Sequence, residues 1–228
     1  MFNFFRILFS PIIAILDFIT KYFKTIVFLT IIYFIVTPSN ENLTDVNSHA
    51  NLQKIELTGP IMDVSKTLED IQKAKEDKNI KGVLFVVNSP GGAVAPSVEL
   101  AYAIKELKEI KPVVVYASGV IASGSYYASI WANKIIANPG SIVGSIGVIM
   151  QGVNTEELMQ KIGVSTQTVK AGKYKESGTP TRKWFDYEEK QLQSVIDDTY
   201  NMFISDVASA RNLDVKNHTL FADAKIFT

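Results

Sequence analysis

The run "IKGVLFVVNSP", Ile80 to Pro90, does most to constrain the fold. It is almost continuously apolar and then stops at turn residues. A strand with one wet face alternates apolar and polar residues, whereas a strand covered on both faces reads as an unbroken apolar run. Helical spacing lies on either side. "VSKTLEDIQKAKED" repeats Val64, Leu68, Ile71 and Ala74, and "SVELAYAIKELKEI" repeats Val98, Ala101, Ile104 and Leu107. Further strands are predicted at "LQKIELTG", "KPVVVYAS", "NKIIANP", "SIVGSIGVIM" and "VSTQTVKAG". Further helices are predicted at "SGSYYASIWA", "TEELMQKIG" and Asp186 to Leu213. Repeated β-α units predict an α/β domain with a mainly parallel sheet over residues 52–228.

Residues 1–37 differ in kind. They are dominated by Phe, Ile and Leu, and Ile26 to Val36 is broken only by Thr30. A bilayer span needs ~20 apolar residues. Extending the run back through Tyr22 and Phe23 approaches that length, with Lys21 and Lys24 reaching the headgroups. Phe2 to Ile19 reads as an interfacial amphipathic stretch. The expectation is an N-terminal membrane anchor over 1–37, followed by a polar linker over 38–51. Arg6, Lys21 and Lys24 precede the span, and no Lys or Arg follows until Lys54. The positive-inside rule then puts the N-terminus in the cytoplasm and residues 52–228 outside, at a bacterial inner membrane.

Composition narrows the chemistry. There are no cysteines, which excludes disulfides and thiolate sites. The two histidines, His49 and His218, leave little for a metal cluster, and no metal or cofactor is expected. Zero net charge gives no support for nucleic-acid binding.

Three stretches concentrate special residues. "NSPGG", Asn88 to Gly92, ends the apolar strand. Its glycines permit positive φ and offer backbone N–H groups to an oxyanion, or they form a plain turn. "GVIASGSYYAS", Gly119 to Ser129, runs from a strand through a tight turn into a helix, as a nucleophile elbow does. Ser123, between Ala122 and Gly124, is the least obstructed serine, with Ser118, Ser125 and Ser129 as competitors. Close helix–sheet packing would equally call for small residues there. "KAGKYKESG", Lys170 to Gly178, offers lysines. A serine nucleophile needs a base, and a neutral lysine can serve. Lys173 and Lys175 share one face of an extended segment and Lys170 faces the other way, so spacing leaves the choice open. A histidine base, His218 beside Asp214 and Asp223, is the alternative on residue types.

Taken together, "VNSPGGAV", "ASGVIASGSYYAS", "ANKIIANPGSIVGSIGVIM" and "AGKYKESGTPTR" resemble segments of the signal peptide peptidase A family in its short bacterial form. The resemblance covers residues 52–228. It implies a ClpP/crotonase-like fold and a Ser-Lys serine protease that cleaves residual signal peptides after their release. By position it implies Ser123 as nucleophile, Lys175 as general base and Gly92 as an oxyanion donor, with Gly124 as the candidate second donor. It also implies a homo-oligomer whose dyad is shared between subunits. Two departures stand out. Ser125 replaces a glycine of the family's motif, and the chain stops at "DAKIFT", where the family continues, so a C-terminal truncation is expected. Other readings are a stomatin-operon-type membrane Ser-Lys protease, a crotonase-type acyl-CoA enzyme, or a non-catalytic scaffold for apolar peptides.

Overall fold

The computed structural model describes residues 2–36 and 51–228, with the side chains of the first stretch described over 16–33. Two units, Met1–His49 and Ala50–Thr228, divide the chain. The expected linker, with His49, lies almost wholly outside the described residues.

Among its described residues the first unit holds one helix, α1 (Phe2–Val36). Its expected role as a single-pass anchor at a bacterial inner membrane is corrected by the structure. Among the described residues no helix is long and apolar enough to cross a membrane. Asp17, Lys21 and Lys24 interrupt the apolar side chains of the described segment.

The second unit carries a mainly parallel sheet. Its elements in order are β1 (Leu52–Thr58), α2 (Ser65–Glu76), β2 (Gly82–Ser89), α3 (Val94–Lys108), β3 (Val113–Ala122), α4 (Gly124–Ser129), β4 (Lys134–Ala137), β5 (Ile142–Gly144), α5 (Glu156–Lys161), α6 (Asp186–Arg211) and β6 (Ile226–Phe227). β1, β2, β3 and β5 lie side by side in parallel, β4 also pairs with β3, and β6 closes the edge antiparallel to β5. Residues 52–58 pair one-to-one with 82–88.

The apolar run behaves differently from expectation. Val83, Phe85, Val87 and Ser89 are buried, while Leu84 and Asn88 are exposed and Val86 is half-buried. One face carries the core. There Phe85, Val115 and Ile121 pack with Leu100, Ile104 and Leu107 of α3, Ala128 of α4, and Phe203 and Val207 of α6. Burying a side chain of this size contributes ~1.5–3 kcal/mol, so this face accounts for most of the drive to fold.

Two features of β3 aim its C-terminal end. It pairs with β4 through residues 114–117 and with β5 through residues 120–122. Between those halves its register with β2 shifts, from Val87 opposite Ala117 to Ser89 opposite Ile121. The Asn88 carboxamide fills the irregularity by accepting the N–H of Val120 at 3.0 Å. A Cβ on Gly119 would meet that Asn88 oxygen at 2.5 Å, so a larger residue there would displace the carboxamide from the bulge. Bulges re-aim a strand end, and this one lies just ahead of the turn at Ser123 that follows β3.

The expected strand "VSTQTVKAG" does not form. No ladder partner covers it, and Val164 and Val169 stay exposed. A strand without a neighbour leaves its backbone groups to water and gains nothing.

Candidate active site

Ser123 lies between β3 and α4 with φ 53° and ψ −125°. A non-glycine residue at positive φ is strained, and such strain persists only where surroundings impose it. Here both peptide groups are held. Ser123 N–H donates to Gly144 O at 2.8 Å, and Ser123 O accepts Tyr127 N–H at 3.0 Å. Among the described residues the Ser123 hydroxyl has no hydrogen-bond partner.

The competing serines are occupied. Ser125 is fully buried, and its hydroxyl lies 2.6 Å from Ser89 O and 2.9 Å from Ala122 O while accepting Ala122 N–H. Ser129 donates to Ser125 O, and Ser118 to Val87 O. These hydroxyls tie the elbow to β2 and leave Ser123 as the one facing the cleft.

Three glycines surround it. A Cβ on Gly91 (φ 91°) would lie 2.9 Å from Ser123 Cβ. One on Gly92 would lie 2.1 Å from Ile61 O, and one on Gly124 would lie 2.3 Å from Ser97 Oγ. Ile61 clamps the loop from outside: its N–H donates to Gly91 O at 2.9 Å and its carbonyl accepts Ala93 N–H at 2.7 Å. That leaves the N–H groups of Gly92 and Gly124 without an acceptor among the described residues. Both glycines and Ser123 line one cleft. Two unpaired donors beside a free hydroxyl can stabilise negative charge developing on a carbonyl oxygen. The rest of the wall is mostly apolar, including Val98, Tyr127, Ile149, Met202 and Phe203.

Below the cleft, the Tyr127 hydroxyl hydrogen-bonds Asp206, and its ring meets Phe203 edge-on with centroids 4.8 Å apart. Burial, then the Asp206 bond and charge, push the Tyr127 phenol far above its ordinary range. It is an uncharged wall.

Lys175 is elsewhere. It sits in an exposed turn spanning 173–178, is not among the residues of the Ser123 cleft, and makes no hydrogen bond to Ser123 within the chain. The turn also removes the alternation expected of an extended segment. The three lysines now differ. Lys170 pairs with Glu176 at 2.8 Å, and that hydrogen bond holds its amine above the usual lysine range. Lys173 lies 4.5 Å from the Tyr187 ring centroid. Lys175 has no ion pair among the described residues. His218 belongs to a short 3₁₀ turn, with Nδ1 3.2 Å from Val215 O, and is absent from the cleft. Asp214 caps that turn through Lys216 N–H rather than orienting the histidine. No group of three His, Asp or Glu residues suited to a metal occurs among the described residues.

Ile61 and Ser97 carry no local sequence signal; Ile61 reaches the site by bridging to Gly92 and Ser97 through its contact with Gly124.

Comparison with known proteins matches residues 105–228 to the model of peptidase family S49. A Methanocaldococcus jannaschii protein bearing the name of a protease is 48% identical over 162 residues, covering 71% of this chain and 51% of that protein. A similarly named Synechocystis protein is 39% identical over 183 residues, covering 80% of this chain and 66% of its own length. An Enterococcus faecium relative, named as a signal peptide peptidase, is 33% identical over 203 residues, covering 83% and 59%. The chain thus spans between half and two thirds of the length of these relatives.

Proposed function

The chain belongs to peptidase family S49, and from that premise we propose that it is a serine endopeptidase with Ser123 as nucleophile and Lys175 as general base. The observation that carries the reading is the strained elbow at Ser123 beside the unpaired N–H groups of Gly92 and Gly124. The fold assigned to it is the ClpP/crotonase-like layering, which the parallel sheet with helices on its core face supports.

The chemistry rests on those groups. The neutral amine of Lys175 takes the hydroxyl proton as Ser123 Oγ bonds to the scissile carbonyl carbon. The carbonyl oxygen becomes an oxyanion facing Gly92 and Gly124. The C–N bond then breaks, and the lysine ammonium returns the proton to the leaving amine. Water repeats the sequence on the acyl-enzyme, losing its proton to Lys175, and releases the acid and the free hydroxyl.

Lys175 needs a dry setting to be neutral, and its turn is exposed in the single chain. The reading therefore includes a homo-oligomer in which Lys175 meets the Ser123 of a neighbouring copy. The exposed Val164 and Val169 leading to that turn support a surface covered by such a copy. The apolar cleft supports apolar peptide segments as substrates, and residual signal peptides fit that class. The Enterococcus relative's name points the same way.

A fluorophosphonate probe tests the reading on the full chain. Labelling that disappears in Ser123→Ala is expected. No labelling of the assembled wild-type protein would favour a non-catalytic apolar-peptide binder.

A further inference from the structure

The turn that carries Lys175 is tied down through its neighbour in sequence. Glu176 Oε2 accepts from Lys170 Nζ at 2.8 Å and from Arg182 Nη2 at 3.1 Å. The same guanidinium grips Glu188, with Nη1 2.8 Å from Oε2 and Nη2 2.9 Å from Oε1. Glu188 is fully buried in the first turn of α6, and its Oε2 also accepts Phe185 N–H at 2.9 Å. Arg182 further stacks over the Phe185 ring, 4.2 Å from its centroid. One planar fork thus joins the start of α6 to the Lys175 turn, a geometry that lysine cannot reproduce.

The pairing has a second consequence. Glu176 is bonded to Lys175 through the backbone, yet its carboxylate is engaged by two other cations. The carboxylates held at this turn are Glu176 and Glu188, and Arg182 contacts both. The other charged and titratable groups there, Lys173, Tyr174 and Tyr187, are engaged with one another. A free carboxylate next to Lys175 would favour the ammonium and oppose its use as a base.

We propose that Arg182 is a positioning residue for Lys175: it fixes the turn to α6 and, with Lys170, keeps Glu176 from serving as the counter-ion of Lys175. The inference rests on the lysine-base reading. Its cations hold Glu176 and Glu188 down at about 2, so the cluster stays charged across any working pH and does not itself titrate there.

The test is the pH dependence of kcat/KM, and of fluorophosphonate labelling, in the full-length assembled protein. In Arg182→Gln the midpoint of the rising limb should move upward by about one unit, because Glu176, left with Lys170 as its remaining partner, adds negative charge beside the lysine ammonium. Labelling near neutral pH should slow about tenfold and recover in alkaline buffer. Adding Glu176→Gln should return the midpoint to the wild-type value. A folded Arg182→Gln with an unmoved midpoint overturns the proposal, as does a double variant that stays shifted. Should Arg182→Gln not fold, Arg182→Lys replaces it, since an ammonium cannot grip Glu176 and Glu188 together as the planar fork does; an upward shift is again expected and an unmoved midpoint again fatal. Failure of the underlying reading looks different. Lys175→Ala that labels like wild type would remove the lysine base itself, whereas an inactive Lys175→Ala beside an unshifted Arg182→Gln removes only the role of Arg182.

Discussion

Gly91 and Gly124 meet through the space a side chain would fill: a Cβ on Gly91 would lie 2.6 Å from Gly124 N. That contact joins the loop after β2 to the elbow after β3. It sets the two unpaired N–H groups, of Gly92 and Gly124, on one cleft. Alanine at 91 would need positive φ and would also press on backbone. Gly91→Ala is expected to lower kcat at least a hundredfold and to destabilise by about 1–3 kcal/mol. Peptide hydrolysis and urea unfolding check both. Wild-type kcat in this variant would remove the glycine contact from the oxyanion site.

The strain at Ser123 yields a stability test. Glycine tolerates φ 53°, ψ −125° where serine does not. Ser123→Gly should therefore abolish hydrolysis yet unfold at least as late as wild type, with relief of strain of about 1 kcal/mol offsetting glycine's added chain entropy. Ser123→Ala should be equally inactive without that relief. A clear loss of stability in Ser123→Gly would show that the conformation is not strained in this setting.

Ser125 should behave in the opposite way. Its hydroxyl is buried and serves Ala122 N–H and the carbonyls of Ser89 and Ala122. Ser125→Ala removes the acceptor of Ala122 N–H and the one O–H shared between the two carbonyls, at a cost of about 1–3 kcal/mol. It should remain labelled by the fluorophosphonate wherever it is folded. Activity lost from the folded variant while Ser123→Ala stays active would move the nucleophile to Ser125.

How far the sequence carried these residues depended on range. The strand–turn–helix around Ser123 was legible because its small residues are consecutive. The β-α order was legible because periodicity is local. The pairing of β6 with β5 and the Ile61 clamp on Gly91 were not, since each joins residues far apart in sequence. "VSTQTVKAG" misled because β-branched alternation suits a strand only when a neighbouring strand accepts it. Choosing among Lys170, Lys173 and Lys175 needed their partners: a carboxylate, an aromatic ring and none among the described residues.

Acid should unfold the domain partly through Glu176 and Glu188. Hydrogen bonds from Lys170 and from Arg182, respectively, are the main causes that lower the two carboxyls to about 2, from 4.5 when unpaired. A depressed folded-state pKa gives stability that is full above the unfolded value and is lost as pH falls through the folded one. The loss should therefore run from about pH 5 down to 2. Glu188→Gln should flatten that slope while lowering stability at neutral pH. Urea midpoints measured across this range check it, and an unchanged slope would mean that the Arg182 pairing does not persist in solution.

The sharpest test concerns where the proton of Ser123 goes. Within one chain Lys175 makes no hydrogen bond to Ser123 and is absent from its cleft. A general base must come within about 3 Å of the proton it takes, directly or through one water. If the base arrives from a neighbouring copy, then a Ser123→Ala subunit still offers an intact Lys175, and a Lys175→Ala subunit still offers an intact Ser123. Each variant alone should be inactive. Co-assembled at equal amounts they should regain about a quarter of wild-type turnover, since a random neighbour supplies both intact residues at one interface in four. The fluorophosphonate should then mark only the Lys175→Ala chains, which mass spectrometry can separate from the others. Mixed assemblies that form yet stay inactive would show that each chain completes its own dyad, after the 173–178 turn moves toward the elbow of the same subunit.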